Sequence, residues 1–303
     1  MCVSPHSEEF DRSMQKLVDY GLRIARGDTD PRSFLEYAEA LWDVRDLQAT
    51  VAALDRAIDG KSALSRRELT LAYASRSICH LQMGNLSEAE ADATASLDVV
   101  MRAHPLGLRA LIYLHQGKTA AALRDAQEAF RLDPYDWEVR AWRGTILFET
   151  GHAAEALEDF NWVIGSGECV RYASEVYLAR ARAELALGDP QAAEADCSEA
   201  IDLDYHEQAH WPFIVKSRVQ QAQNAYLVRA QARMALGTIP RALGDCCFAA
   251  TIAPGDPAVY ELRASVYHAI GNVREAVADM IRADVLRRSS AAAEGLVAEA
   301  VAA

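Results

Sequence analysis

Along most of the chain, apolar residues fall at helical spacing on both sides of a glycine, and this happens six times. Between Trp137 and Ile164 the helical rhythm runs up to Gly151, stops, and resumes after it. A glycine at such a point predicts a helix end, because glycine takes the left-handed conformation without a Cβ penalty. In Gly84-Asn85, Gly188-Asp189 and Gly271-Asn272 the next side chain can cap a second helix. Each unit therefore reads as two helices joined by a tight turn, an αα-hairpin.

The spacing is regular. Arg stands eight residues before each glycine and Asp eight after it: Arg76-Gly84-Asp92, Arg109-Gly117-Asp125, Arg143-Gly151-Asp159, Arg180-Gly188-Asp196, Arg229-Gly237-Asp245 and Arg263-Gly271-Asp279. The glycines lie 33 to 37 residues apart, with one gap of 49. A period near 34 is the signature of a helical solenoid. Small residues mark the helix contacts, seven before each glycine (Ser77, Ala110, Gly144, Ala181, Ala230, Ala264) and five after it (Ala89, Ala122, Ala156, Ala193, Ala242, Ala276). A third set stands twelve after: Ser96, Ala129, Val163, Ala200, Ala249 and Ala283. Such residues let ridges enter grooves at close range. Residues equidistant from a hairpin turn lie level with each other. The Arg–Asp recurrence therefore predicts an ion pair, within a hairpin or to its neighbour, rather than an anion-binding ladder, since every Arg travels with an Asp.

These small-residue offsets, with closing prolines at Pro134 and Pro254, resemble the tetratricopeptide repeat family from Pro31 to about Arg288. The early aromatic of that pattern is Tyr73, Tyr177, Tyr226 and Tyr260, whereas Leu106 and Arg140 replace it in two units. A degenerate first unit spans Pro31 to Leu64, where Arg45 stands for the glycine and Ala53 for the Asp. The resemblance implies an all-α, right-handed α-solenoid of about seven stacked antiparallel hairpins. An N-terminal capping helix is expected over 1–30 (Glu8 to Arg26), the repeat array over 31–288, and a closing helix or tail over 289–303. The 49-residue gap places an insertion near 207–221, with Trp211 and Phe213 as an anchor or a cover. The helix that follows is expected over Ile214 to Leu236.

Charge narrows the partner. The net charge of −13 argues against nucleic acid, which needs a basic face. Only Lys16, Lys61, Lys118 and Lys216 are lysines, too few for an anionic membrane surface. The six cysteines contain no C-x-x-C pair and read as reduced, mostly buried thiols. Met1 to Phe10 has no apolar run of a secretory leader. A cytoplasmic location is expected, with no cofactor.

The resemblance also implies that the first helix of each unit lines an inner surface that takes an extended peptide or a helix. By offset the candidate binding residues are Ile78, Leu81, Gln82, Leu111, Leu114, His115, Trp142, Thr145, Phe148, Glu149 and Arg182. Glu39, Asp43, Glu138, Glu175 and Glu261 flank them, so an apolar segment carrying basic residues suits the surface. No Lys occupies the offsets that relatives use to grip a C-terminal carboxylate. A rival reading comes from His206-Glu207-Gln208-Ala209-His210, which matches the H-E-x-x-H zinc motif. Pro212 follows closely, and no carboxylate stands from Trp211 to Gly244 to complete the site. A non-enzymatic scaffold that binds another protein is the favoured reading. A peptide-responsive regulator is the alternative, and a zinc hydrolase the remote one.

Overall fold

The computed structural model describes residues 5–169, 173–208 and 216–302, with side chains over 12–169, 173–203 and 220–289. Among the described residues every element is helical. They fall into two compact units, Met1–Glu168 and Cys169–Ala303. The first unit contains α1 (Pro5–Ala25), α2 (Pro31–Asp43), α3 (Leu47–Asp59), α4 (Arg66–Gln82), α5 (Leu86–Val99), α6 (Ala103–His115), α7 (Thr119–Leu132), α8 (Trp137–Glu149) and α9 (Ala153–Ser166). The second contains α10 (Ala173–Ala186), α11 (Pro190–Gln208), α12 (Lys216–Ala235), α13 (Ile239–Ile252), α14 (Pro257–Ala269) and α15 (Val273–Ala302). From α2 onward the helices pack in consecutive pairs, the hairpins of an α-solenoid, and α1 packs on α2.

The turn chemistry predicted from sequence is present in each hairpin. All six glycines lie at positive φ, from 72° to 87°. At Gly151 the glycine N–H donates to the Phe148 carbonyl at 3.0 Å and the His152 N–H to Leu147 at 2.8 Å. This is the Schellman closure, which satisfies two of the carbonyls a helix end leaves open. Arg45 adopts the same conformation at φ 62° and closes the same two bonds, to Trp42 and Leu41, so the degenerate unit keeps its turn without glycine. Asp189 caps α11 through the Ala192 N–H at 3.0 Å, and Asn272 reaches the Glu275 N–H at 3.5 Å. Asn85, expected to cap α5, makes no side-chain bond there. Its neighbours Ser87 and Glu88 are exposed.

The three small-residue sets are buried in all six hairpins. They create flat contacts, and one rule describes how successive hairpins close over them. Leu108 and Ile112 of α6 cover Ala89 and Ala93 of α5. Ile146 of α8 covers Ala122 and Ala126 of α7. In the second unit, Val228 and Ala232 of α12 cover Ala193 and Cys197, and Leu262 and Val266 of α14 lie on Ala242 and Cys246. The covering side chains stand nine and five residues before the next turn glycine.

Residues 289–302 are the last part of α15, which continues to Ala302 without a break. No glycine or proline interrupts the chain between Gly271 and Gly295, and the alanines after Ser290 favour helix. The helix expected over Ile214–Leu236 is α12, Lys216–Ala235. Trp211 and Phe213 lie outside the described residues.

Candidate functional site

In the first unit α4, α6 and α8 lie side by side, α6 touching both neighbours. Equal offsets from the three turn glycines therefore form rows across them. Six before the glycine stand Ile78, Leu111 and Thr145; three before it stand Leu81, Leu114 and Phe148. All six are half-buried. Two before it stand Gln82, His115 and Glu149, all exposed. Within these rows the residues differ in role. Ile78 and Leu81 pack against the cluster of Ala74, Ala89, Ala93, Leu108 and Ile112, and Leu114 packs against that of Ala110, Ala122, Ala126 and Ile146. Thr145 bonds back to the Ala141 carbonyl at 2.9 Å. Arg182, the remaining candidate, is exposed on α10 of the second unit.

Trp142 is also half-buried and packs on the first of those clusters. Its indole lies against α6 where Gly107 has no side chain: a Cβ there would sit 2.7 Å from the ring. The ring meets His104 edge-on at 4.8 Å, and His104 Nε2 lies 3.2 Å from a Glu138 carboxylate oxygen. His104 and Gly107 were not singled out from sequence. The signal was available, since Gly107 sits inside a helix with no turn to make. His104 and Glu138 also stand one repeat apart, 34 residues.

The Arg–Asp recurrence resolves as six ion pairs, each within one hairpin, with N···O distances of 2.6 to 3.2 Å. Five are two-pronged, the geometry that suits a guanidinium. Asp159 is fully buried, and Asp92, Asp196, Asp245 and Asp279 are nearly so. Hydrogen bonds to Asp92 and Asp279 raise the Arg76 and Arg263 pKa further above their ordinary value. The tyrosine three residues before the Arg stacks on it at 5.2 to 5.7 Å in four hairpins: Tyr73, Tyr177, Tyr226 and Tyr260. The two departures from that pattern are compensated. Arg109 lies over Tyr113 at 5.6 Å. Arg143 lies over Phe130 at 3.3 Å, and Arg140, standing where a tyrosine would, reaches Asp159 at 3.2 Å. The pairs join the two helices of each hairpin. They are structural, since both charges are consumed internally.

Burial pushes Cys79, Cys197 and Cys246 up to about 12, far from the thiolate needed for attack. Among the described residues no group of three His, Cys, Asp or Glu is placed to hold a metal. The zinc motif itself falls outside the described side chains: His206 and Glu207 stand near the end of α11, and His210 lies beyond it. Among the described residues no helix is long and apolar enough to cross a membrane.

Comparison with known proteins gives one family match. Residues 174–206, which carry Arg180, Gly188 and Asp196, match the tetratricopeptide repeat. Protein SGT1 homolog of Bos taurus is 31% identical over 112 residues, or 37% of this chain. The chain spans about a third of the length of that relative, 31%. Among solved structures, a tetratricopeptide repeat protein from Parabacteroides merdae has a TM-score of 0.55 at 20% identity, covering 84% of this chain and 93% of that one. A chain of the APC/C hetero-tetramer Cut9-Hcn1 reaches 0.70 at 11% identity, covering 84% of this chain and 46% of its own. At these identities the structural likeness is one of fold.

Proposed function

Because the chain is a tetratricopeptide repeat protein, we propose that it is a non-enzymatic scaffold whose first unit binds a peptide or helix of another protein across α4, α6 and α8. The observation that carries this is the set of rows at equal offsets: half-buried Leu111, Thr145 and Phe148 beside exposed Gln82, His115 and Glu149. Ile78, Leu81, Leu114 and Trp142 serve chiefly as the floor, since each packs on a core cluster. Glu39, Asp43, Glu138 and Glu149 belong to the same unit, in a chain of net charge −13, and favour a ligand with apolar anchors and basic flanks. The compartment in which this takes place is expected to be the cytoplasm.

The test is Leu111→Glu with Phe148→Glu, measured by calorimetry against a peptide selected on the wild-type chain. A buried charge facing an apolar anchor is costly, so affinity should fall at least about tenfold, while the helical melt stays in place. Wild-type affinity in a folded double variant would move the binding surface elsewhere.

A further inference from the structure

The rule that closes one hairpin over the next is not met, among the described residues, on the hairpin of α14 and α15. Nine residues after the turn glycine, Ala93, Ala126, Phe160, Cys197 and Cys246 are all buried, yet Met280 is 52% exposed. Six after it, Glu90, Leu123, Leu157, Glu194 and Leu243 are half-buried, whereas Val277 is 52% exposed. On this hairpin apolar side chains stand at interface offsets, and among the described residues no helix packs over them. Val273, Val277, Ile281 and Val285 add a continuous ridge at four-residue spacing along α15, each 52 to 60% exposed. Beside it α14 and α15 border an open groove of about 590 Å³, lined by Ala264, His268, Val277, Met280 and Ile281.

The sequence of this ridge is symmetric about position 279. Val273 mirrors Val285, Val277 mirrors Ile281, and Arg274 mirrors Asp284. An antiparallel copy of the same helix, crossing at 279, brings each residue level with its mirror mate. Valines then meet aliphatic side chains, and Arg274 comes level with the opposite Asp284, twice. A helix contact between identical four-spaced ridges is the commonest packing class. It is also self-complementary, as a two-fold interface must be.

We propose that a second copy of this chain covers the face, α15 against α15 about a two-fold axis at residue 279. Standard interfaces bury roughly 800 Å² per partner, and a contact made by one helix on another is expected to dissociate in roughly the micromolar range. The contact continues the stacking of the solenoid into another molecule and is separate from the surface on α4, α6 and α8.

Sedimentation equilibrium of the full chain, from roughly 1 to 100 µM, tests it. Mass should rise from one chain toward two. Val277→Glu with Ile281→Glu should stay monomeric with an unchanged helical melt, because both side chains are exposed. Arg274→Glu should weaken the dimer at least about fivefold, and adding Asp284→Arg should restore it. Asp284 also pairs with Arg288 at 2.8 Å in its own helix, so the restoration is read against Asp284→Arg alone. A wild-type chain that stays monomeric throughout, or a dimer that survives the double substitution, overturns the proposal.

Discussion

Asp159 accepts from Arg143 at 2.6 Å through each oxygen and from Arg140 at 3.2 Å, with no exposure to water. Its neighbour Glu158 is exposed. Asp159→Ala leaves two half-buried guanidiniums without their acceptor and should cost about 3 kcal/mol. Glu158→Ala should stay within about 0.5 kcal/mol. Urea melts of the two variants check this, and equal midpoints would reduce the ladder to a solvated stripe. Glu184 is the opposite case. One carboxylate oxygen is buried without a hydrogen-bond partner. Burial first, and then the charge of Asp196, push its pKa up to about 7 from an ordinary 4.5. Folding thus favours the protonated acid. That stability is complete below about 4.5 and is lost as pH rises through about 7. Glu184→Gln, which cannot ionise, should gain on the wild type as pH goes from about 5 to 8. A stability difference that stays flat across that range in urea melts would show that Glu184 ionises without cost. That Asp159 would meet an arginine was legible from spacing, though not whether that arginine stands in its own hairpin. Glu184 was not, because nothing in its local sequence says that its second oxygen loses water.

Within a hairpin, shape is shared between the two helices. Gly144 is the smallest residue at its offset, and Phe160 the largest at the offset facing it; a Cβ on Gly144 would lie 2.8 Å from the Phe160 ring. Elsewhere Ser77 or alanine faces Ala93, Ala126, Cys197, Cys246 or Met280. The pair is therefore one packed volume divided differently. Gly144→Ala should destabilise by about 1–3 kcal/mol through overpacking, despite the better helix propensity of alanine. Combined with Phe160→Leu, its cost should be smaller than the sum of the two single changes, a coupling of at least about 0.5 kcal/mol in a double-mutant cycle. Additive costs would show that the ring moves aside freely. Turns behave more locally. Arg45 shows that the closure is set by the hydrogen bonds of the helix end, with glycine only lowering the strain.

For the molecule as a whole, charge and array combine. A chain of net charge −13 with acidic residues around α4, α6 and α8 should bind a basic peptide with an affinity that falls as salt rises, since exposed pairs are screened beyond about 8 Å at physiological ionic strength. The apolar anchors at Leu111 and Phe148 should set the part of the affinity that salt leaves intact. The two contributions separate experimentally: Glu149→Gln should flatten the salt dependence, and Leu111→Glu with Phe148→Glu should remove binding at every salt concentration.

What the sequence by itself determined is whatever repeats. Helix periodicity, turn glycines, three small-residue offsets and the Arg–Asp spacing are local or at fixed separation, so each of the six hairpins displays them. Only the tertiary structure decided that each ion pair closes its own hairpin, because equal distance from a turn is satisfied within a pair and between neighbours alike. It also decided which of the candidates pack against the core. Ile78, Leu81, Leu114 and Trp142 share periodicity with Leu111 and Phe148, but the burial of each depends on the helix laid beside it. Gly107, a glycine inside a helix, marks a close approach along the chain, but only the fold shows that the Trp142 ring is what lies against it. The exposed ridge on α15 has the same origin. Its side chains carry the pattern of every covered interface, and only the absence of a following helix among the described residues leaves Val277 and Met280 facing water.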